Sequence, residues 1–271
     1  MGIGLNSNKK SKLNICVNAA TGKMGQQITH QIIESKHAEL SCAFCRSGHP
    51  YFNKIVRGSG KVKYTNDTND GLSKSDVVID FSLPTVSLAL LKNVLASKKP
   101  ILIGTTGFSK AQFKTIEKAS TNIPILFAPN TSIGVNVTLS LIEKAAKILD
   151  EQANIEIIEA HHKHKVDAPS GTALKMAETI CEATKTNLED RAVYKRHDSK
   201  KPRKESDIGF SVIRAGEIIG EHKVMFTLNN EVINIEHKAQ SRQCFAEGAV
   251  KAAIWLAKQK SGLYSMKDFL G

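Results

Sequence analysis

Residues 13–25 read LNICVNAATGKMG, a short apolar run followed by a tight turn that contains two glycines. Apolar residues recur at helical spacing over 26–35, so the chain opens with a strand, a turn and a helix. Gly22 and Gly25 stand at the spacing of a GxxGxxG variant with Ala19 in its first position, and we call this the glycine turn. Its context predicts a dinucleotide site in which the helix N-terminus stabilises a pyrophosphate and Gly25 lets helix and strand pack closely.

Further apolar runs alternate with helix-length segments through the first half of the chain. The runs span 40–45, 77–81, 101–104 and 123–127, and two of the segments between them span 85–97 and 110–120. Alternating strands and helices predict a parallel sheet with helices on both faces. The expected fold class is therefore α/β, with a Rossmann-like, doubly wound parallel sheet.

The pattern changes after about residue 130, where the predicted strands alternate apolar and polar residues. Strands are predicted over 154–160, 209–213, 223–228 and 232–238, with helices over 135–149 and 172–183. Strands with one apolar face and one polar face predict a second, α+β domain built on a mixed or antiparallel sheet. The regions expected are a disordered leader at 1–12, one domain at 13–130 plus 240–271, and another at 131–239.

The composition limits the class of protein. The chain has 271 residues, a formal net charge of +12 and five cysteines. That charge suits nucleic acid and small polyanions equally, but the basic run at 195–206 has no aromatic residue for base stacking. Scattered cysteines in odd number argue against a secreted disulfide framework and favour the cytoplasm. No run of about 18 apolar residues is available to cross a membrane.

The end of the second predicted strand bears on the choice of cofactor. NAD enzymes commonly carry an acidic residue there for the ribose hydroxyls, whereas this chain has Cys45 and then Arg46. With Lys23 in the glycine turn, the local charge favours a 2′-phosphate, so NADPH is expected in preference to NADH. Alternatively, Arg46 is an ordinary exposed cation at the end of a strand, with no role in binding a cofactor. Loops 104–108 and 128–131 follow two other strands at the edge where such sheets bind ligands.

The most unusual stretch is HHKHK at 161–165, the basic segment, in which three imidazoles and two ammonium groups occupy five positions. Pro-Ser-Gly-Thr follows at 169–172, where a helix is expected to begin. Crowded like charges need an anion to offset them, and a helix N-terminus supplies N–H donors for a carboxylate. The stretch favours a site for a small dianion. A solvated basic loop and a zinc site are the alternatives, the latter without a neighbouring cysteine or a second ligand cluster.

The segment EAHHKHKVDAPSGTAL at 159–174 resembles the signature of the 4-hydroxy-tetrahydrodipicolinate reductase (dihydrodipicolinate reductase) family. Similar family segments fall at GTTGF (104–108), IRAGEIIGEH (213–222) and HKAQSR (237–242). The resemblance extends from Leu13 to Leu270. It implies NAD(P)H-dependent reduction of 4-hydroxy-tetrahydrodipicolinate, a small heterocyclic dicarboxylate, to tetrahydrodipicolinate in diaminopimelate and lysine biosynthesis. It further implies a homotetramer in which the first domain binds the dinucleotide and the second binds the substrate and joins the subunits.

The resemblance also implies roles for individual residues. His161 matches a catalytic proton donor or acceptor and Lys165 a second proton donor. The implied substrate contacts are His162, Lys165, Ser170, Gly171 and Thr172. The implied cofactor contacts are Ala19, Ala20, Thr21, Gly22, Lys23, Met24, Arg46, Gly104, Thr105, Thr106, Ala128, Pro129, Asn130 and Thr131, and no metal is implied. Because the family often has an acid where this chain has Cys45, NADPH is the preferred cofactor and NADH the alternative.

Two rival interpretations use the same features. Another two-domain amino-acid dehydrogenase, such as an aspartate dehydrogenase, would share the glycine turn but not the basic segment. A redox-sensing nucleotide binder would use the positive charge to bind nucleic acid, with an affinity that falls steeply as salt rises. Substrate assays separate the first rival from the reductase, and salt-dependent binding separates the second.

Overall fold

The computed structural model describes residues 12–149, 152–197 and 199–271. The leader expected at 1–12 therefore lies outside the described residues, apart from Lys12. The chain divides into two compact units, one formed by 1–131 with 245–271 and the other by 132–244.

The first unit begins as an alternation of strands and helices. Its strands are β1 (Leu13–Asn18), β2 (Ala38–Phe44), β3 (Tyr64–Thr65), β4 (Val77–Asp80), β5 (Ile101–Ile103) and β6 (Pro124–Phe127). Its helices are α1 (Lys23–Ile33), α2 (Thr68–Ser73), α3 (Pro84–Ala96) and α4 (Lys110–Ser120). Strands β4 and β5 are buried along their whole length, as expected of parallel strands covered by helices on both faces.

The second unit packs helices against a five-stranded mixed sheet. The helices are α5 (Ile133–Leu149), α6 (Gly171–Thr184) and α7 (Leu188–Arg191). The strands are β7 (Asn154–His161), β8 (Ala192–Val193), β9 (Ile208–Arg214), β10 (Glu221–Thr227) and β11 (Val232–Lys238), in the order β11-β10-β7-β9-β8. Strand β10 is antiparallel to both neighbours, whereas β9 runs parallel to β7 and β8. Phe226, Ile155 and Met176 lie fully buried in the core of this unit.

The chain ends with α8 (Gln243–Leu256), β12 (Gly262–Tyr264) and α9 (Met266–Leu270). Strand β12 pairs with β6 and completes a seven-stranded parallel sheet in the order β12-β6-β5-β4-β1-β2-β3. Within this unit the Thr131 hydroxyl donates to the carbonyl of Phe245 at 2.7 Å, which holds α8 to the end of the preceding loop. The predicted fold class, a Rossmann-like sheet with a second α+β unit on a mixed sheet, is confirmed.

Several boundaries differ from those predicted. Helix α1 begins at Lys23 instead of residue 26, so Lys23 and Met24, expected in the turn, are the first helical residues. Elements β3, β8, β12, α2, α7 and α9 were not predicted, because two to six residues are too few to display a period. Cys42 lies in β2 and Cys45 directly follows it, and both are buried.

Candidate functional site

A buried carboxylate and a buried imidazole lie at the carboxyl end of β7. Glu159 is 1 % exposed and His161 8 % exposed, and residues two apart on a strand project from the same face. In the register of the sheet, His161 stands beside Arg214 on β9, and Glu159 stands opposite His222 on β10. Three neighbouring strands therefore bring a carboxylate, a guanidinium and two imidazoles together at one end of the second unit's sheet.

Glu159 accepts hydrogen bonds from three residues. Arg214 donates from Nη1 to Oε2 and from Nη2 to Oε1, each at 2.8 Å. The backbone N–H of Ser170 donates to Oε1 at 3.0 Å, and His161 Nδ1 lies 2.6 Å from Oε2. An ionised carboxylate only accepts, so Nδ1 of His161 carries the proton in this contact. The second ring nitrogen, Nε2, takes no part in this contact and is available for proton transfer.

Burial and charge act in opposite directions on this pair. Burial by itself would raise the pKa of Glu159, but hydrogen bonds from Arg214, His161 and Ser170 outweigh it and lower that pKa. Burial lowers the pKa of His161, and the Glu159 carboxylate offsets only part of the effect. At neutral pH the pair is therefore a carboxylate beside a mainly neutral imidazole, and an imidazole of low pKa releases an acquired proton readily.

Ser170 caps α6 and connects it to a second buried histidine. Its Oγ accepts from the Ala173 N–H at 3.2 Å and lies 2.9 Å from Nε2 of His222. The rings of His222 and His161 meet edge to face with their centroids 5.0 Å apart. Burial, followed by the nearby charge of His161, lowers the pKa of His222 to about 4.

The basic segment divides between buried and exposed positions. His161 is buried, His162 is half-buried, and Lys163 and His164 are exposed. The Lys163 side chain is 60 % exposed and lies 3.7 Å from a carboxylate oxygen of Glu217, a surface pair of little energetic value. The segment is therefore not a uniform solvated loop.

Lys165 is the less exposed lysine of the segment. Its Nζ donates to Asp167 Oδ1 at 2.9 Å, and the hydrogen bond and charge of Lys165 lower the pKa of that carboxyl. The backbone carbonyl of Asp167 accepts from Nη2 of Arg214 at 2.6 Å. The loop that leads to α6 is thus tied to the Glu159 cluster. Gly171 opens the helix with nothing within 4 Å of where its Cβ would stand, so space is available at this helix start.

The glycine turn has the shape that a pyrophosphate site needs. Ala19 adopts φ +51°, a left-handed conformation that favours glycine. A Cβ on Gly25 would lie 2.7 Å from Ala20 Cα, so only glycine allows α1 to approach the turn this closely. Gly22 is the N-cap of α1 without a side-chain cap, and the first turn carries no acid. These residues fit a dinucleotide phosphate, because the helix start offers N–H donors and positive dipole.

The other predicted cofactor residues differ in accessibility. Those exposed are Gly22, Lys23, Arg46, Thr106 and Pro129; those half-buried are Ala19, Thr21, Met24 and Asn130; those buried are Ala20, Gly104, Thr105, Ala128 and Thr131. The Thr131 hydroxyl is engaged with Phe245, and that of Thr105 lies 3.3 Å from Asp80 Oδ2 and accepts from the Ser82 N–H at 2.9 Å. The side-chain hydroxyls of Thr105 and Thr131 are therefore engaged within the first unit.

Sequence reasoning missed the residues that organise both regions. Glu159, Arg214 and His222 received no role, although all three lie in the quoted family-like segments, and Glu159 stands two residues before His161 on a predicted strand. Asp80 is fully buried and accepts from the Asn18 side chain at 2.7 Å, with both residues at the carboxyl ends of adjacent strands. A charged residue inside an otherwise apolar strand was the available signal for Asp80.

The described residues contain neither a group of metal ligands nor a membrane-spanning helix. Among the residues that the structure describes, no three His, Cys, Asp or Glu side chains are grouped as metal ligands. The rings of His162 and His164 lie 6.3 Å apart, while Nδ1 of His161 is taken by Glu159. Over the same described ranges, no helix is both long enough and apolar enough to cross a membrane.

Two family models account for nearly all of the chain. The model described as dihydrodipicolinate reductase, N-terminus, matches residues 13–131, and the one described as dihydrodipicolinate reductase, C-terminus, matches 134–270. The chain belongs to the dihydrodipicolinate reductase family. The family predicted from the basic segment is confirmed.

Individual relatives agree with this family. The 4-hydroxy-tetrahydrodipicolinate reductase of Buchnera aphidicola subsp. Baizongia pistaciae is 43 % identical over 269 residues, 97 % of this chain and 99 % of that protein. The enzyme of the same name from Methylococcus capsulatus is 44 % identical over 258 residues, 92 % of this chain and 95 % of that protein. A solved dipicolinate-bound dihydrodipicolinate reductase from Paenisporosarcina sp. TG-14 has a TM-score of 0.76 at 24 % identity, covering 94 % of this chain and 98 % of that one, and supports the fold.

Membership of the dihydrodipicolinate reductase family decides among the interpretations of the sequence. The chain is an enzyme, an oxidoreductase of the lysine and diaminopimelate pathway that uses a nicotinamide cofactor. The predicted activity is thereby confirmed in preference to the aspartate dehydrogenase and the redox-sensing nucleotide binder.

Proposed function

We propose that the chain reduces 4-hydroxy-tetrahydrodipicolinate to tetrahydrodipicolinate with NADPH preferred over NADH, and that His161 and Lys165 carry the proton chemistry. The observation that carries the proposal is the buried contact of 2.6 Å between His161 Nδ1 and Glu159, a carboxylate that also accepts from the Ser170 N–H. It leaves one ring nitrogen for proton transfer, near a helix start suited to a carboxylate.

The reaction consumes a hydride and a proton and releases water. The 4-hydroxyl leaves as water together with a proton from ring carbon C3, C4 gains the hydride that a bound nicotinamide would supply, and the resulting enamine regains a proton at C3. His161, neutral with its lone pair on Nε2, takes up a proton there from water and gives it to C3, and its low pKa favours the release. The Lys165 ammonium, matched to the second proton donor, stabilises the negative charge that develops toward the ring nitrogen.

The substrate's two carboxylates need two anchors. We assign one to the start of α6, where Gly171 and Thr172 offer backbone N–H groups and Ser170, whose own N–H is donated to Glu159, caps the helix. The other falls to Lys165 with His162. Asp167 holds the Lys165 ammonium at 2.9 Å, which keeps it near the loop. The Paenisporosarcina enzyme binds dipicolinate, a planar dicarboxylate, and we propose that this chain takes the same class of ligand.

The cofactor is assigned to the first unit. The phosphates are held by 19–24 at the start of α1, the 2′-phosphate by Arg46, and the nicotinamide half by 104–106 and 128–131. Arg46 is exposed at the end of β2, and the preceding Cys45 is buried and uncharged, since burial raises its thiol pKa. With a cation and no carboxylate at this strand end, NADPH is favoured.

We further propose a cytoplasmic homotetramer that binds neither nucleic acid nor membranes. Apolar side chains are exposed on the second unit's sheet, at Val212 and Ile213 of β9 and at Val232 and Ile233 of β11. Exposed apolar side chains on a sheet are typical of surfaces that another subunit covers.

A steady-state assay tests the proposed function. The purified chain is mixed with 4-hydroxy-tetrahydrodipicolinate and either NADPH or NADH, and nicotinamide oxidation is followed by absorbance. We expect turnover with both and a higher kcat/KM with NADPH. Absence of turnover with either cofactor contradicts the activity, and reduction of NAD⁺ or NADP⁺ by aspartate in a parallel assay would favour the rival dehydrogenase. Sedimentation at several protein concentrations measures the subunit number.

A further inference from the structure

We propose that Glu159 and Arg214 are positioning residues for His161: the carboxylate, clamped by the guanidinium, holds the imidazole as its Nδ1–H tautomer with Nε2 directed to the reaction. The same pair fixes the start of α6 relative to that imidazole. The inference deepens the proposed function, and it rests on it only in assigning His161 the proton transfer.

The ion pair of Glu159 and Arg214, which we call the clamp, is held in one orientation. Glu159 is 1 % exposed, and each of its two oxygens accepts a hydrogen bond from Arg214 at 2.8 Å. The planar guanidinium and the planar carboxylate therefore form a bidentate pair. Arg214 is itself held, because it also donates to the backbone carbonyls of Ile213 at 2.8 Å and Asp167 at 2.6 Å. A carboxylate with so little freedom can impose one orientation on the ring that contacts it.

The contact determines which nitrogen of His161 is available. Hydrogen bonds from Arg214 and Ser170 lower the pKa of Glu159, so it is ionised at neutral pH and needs a donor from the ring. Nδ1 supplies it at 2.6 Å, and the lone pair of the neutral ring then lies on Nε2. A Cβ on Gly220 would stand 3.1 Å from that Nε2, so glycine at position 220 preserves the space beside it.

One carboxylate also relates the imidazole to the substrate loop. Oε1 of Glu159 accepts from the Ser170 N–H at 3.0 Å, directly before the first residue of α6. Arg214 holds the carbonyl of Asp167, three residues earlier in the same loop. A displacement of Glu159 would therefore move both the proton donor and the helix start assigned to a carboxylate. Buried ion pairs add little net stability, so a clamp at this position has its value in alignment.

The charges around His161 give the inference a measurable consequence. Glu159 faces it from its own strand, Arg214 from β9, His222 from β10, and Lys165 from the following loop. Among these, Glu159 alone carries negative charge and favours the imidazolium, whereas burial, Lys165 and Arg214 oppose it. Neutralising Glu159 must lower the pKa of His161 further.

The test compares the variants Glu159→Gln and Glu221→Gln by NMR of protein labelled with ¹⁵N-histidine. The signals of His161 are identified as those that disappear in the variant His161→Gln. Glu221 is the matched control, since it lies on the adjacent strand opposite Ala160 and pairs at 3.4 Å with the exposed Lys238. In the wild type and in Glu221→Gln we expect a neutral His161 protonated on Nδ1. In Glu159→Gln we expect that preference to be lost and the His161 titration midpoint to move to lower pH.

Kinetics supply the second readout. We expect kcat of Glu159→Gln to fall by roughly 10²- to 10⁴-fold, the loss seen when a catalytic histidine keeps its place but not its tautomer. In the plot of kcat against pH, the part in which kcat falls as pH rises should also move to lower pH. A group with a merely structural role would lower kcat or stability without moving that part of the plot.

Two further measurements keep the outcomes separate. If Glu159→Gln does not fold, Arg214→Lys retains the positive charge without the planar fork and should yield a mixture of His161 tautomers. A wild-type His161 protonated on Nε2 in its neutral form, or an unchanged tautomer and midpoint in Glu159→Gln, overturns the inference. An undiminished kcat in His161→Gln removes His161 from the proposed proton transfer instead, and leaves the coupling seen by NMR intact.

Discussion

His222 Nε2 lies 2.9 Å from the Oγ of Ser170, the hydroxyl that caps α6. His222 is 4 % exposed, and burial lowers its pKa to about 4, with His161 and His237 adding to the effect. The folded chain therefore accepts this imidazole only in its neutral form. Protonation would place a charge in a buried position that faces two other imidazoles.

Acid should destabilise the fold through this histidine. The pKa of His222 is about 4 in the folded chain against 6.5 ordinarily, so between these values the unfolded state binds more protons. The free energy of unfolding must then fall as pH falls from about 6.5 to about 4, by up to about 3 kcal/mol. His222→Gln should flatten this dependence in urea unfolding curves, while His30→Gln, at a side chain 61 % exposed, should not. Equal acid sensitivity in both variants contradicts the assignment.

Ala19→Gly should stabilise the first unit. Ala19 has φ +51°, a conformation that costs an alanine about 1–2 kcal/mol, whereas glycine loses roughly 0.5–1 kcal/mol in unfolded-state entropy. The net expectation is a gain of up to about 1 kcal/mol in the free energy of unfolding. The neighbouring Ala20→Gly, at a fully buried residue, is the control and should destabilise. A loss of stability in Ala19→Gly would show that the turn does not retain this conformation in solution.

The first unit was largely predictable from local pattern. Strand β1 and helix α4 occupy the predicted ranges, because each has a run of apolar residues whose spacing matches its own period. The glycine turn was predictable for the same reason, since a close approach of α1 leaves no room for a Cβ on Gly25. These features depend on residues near one another in the chain.

The arrangement around His161 depends instead on distant residues. Arg214 is 55 positions from Glu159, and their contact follows from the parallel register of β7 and β9, which no local period encodes. The direction of the Thr105 hydroxyl likewise depends on Asp80, 25 positions away. Sequence pattern and family resemblance identified His161 as reactive, but the groups that hold it required the sheet topology.

Cys45→Glu should shift cofactor preference from NADPH toward NADH. A carboxylate at the end of β2 would repel the 2′-phosphate and accept from the ribose hydroxyls. The measurement is the ratio of kcat/KM values for the two cofactors. Arg46→Ala is the companion variant and should weaken NADPH more than NADH, since only NADPH has a phosphate for it to bind. A wild-type enzyme that already prefers NADH several-fold contradicts the charge argument.

His161→Gln should lower kcat by roughly two to four orders of magnitude, the usual contribution of a general acid or base. Glutamine preserves approximate size and a polar terminus but cannot exchange a proton at neutral pH. The Michaelis constant should change little, because the assigned carboxylate anchors lie elsewhere, at Lys165 and the start of α6. Steady-state rates over a range of substrate concentrations separate the two parameters. An unaltered kcat removes His161 from the proton transfer.

Lys165 and Lys163 provide a matched pair for testing the substrate site. They are two residues apart in the basic segment, but the Lys165 side chain is 22 % exposed and hydrogen-bonded to Asp167, whereas that of Lys163 is 60 % exposed. Pyridine-2,6-dicarboxylate is a planar dianion with the carboxylate spacing of the substrate ring. It should therefore inhibit competitively against 4-hydroxy-tetrahydrodipicolinate, held by Lys165 on one side and the start of α6 on the other.

Lys165→Ala should weaken both turnover and this inhibition, because one ammonium is assigned to binding a carboxylate and to stabilising the developing charge. Loss of a charge-assisted hydrogen bond of about 1.5–3 kcal/mol corresponds to an inhibition constant raised roughly 10- to 150-fold. Lys163→Ala should leave both quantities nearly intact, since a solvated lysine paired with Glu217 adds little to either. Equal behaviour of the two variants would mean that the segment acts as a diffuse basic surface, in which no single ammonium has a defined partner on the substrate.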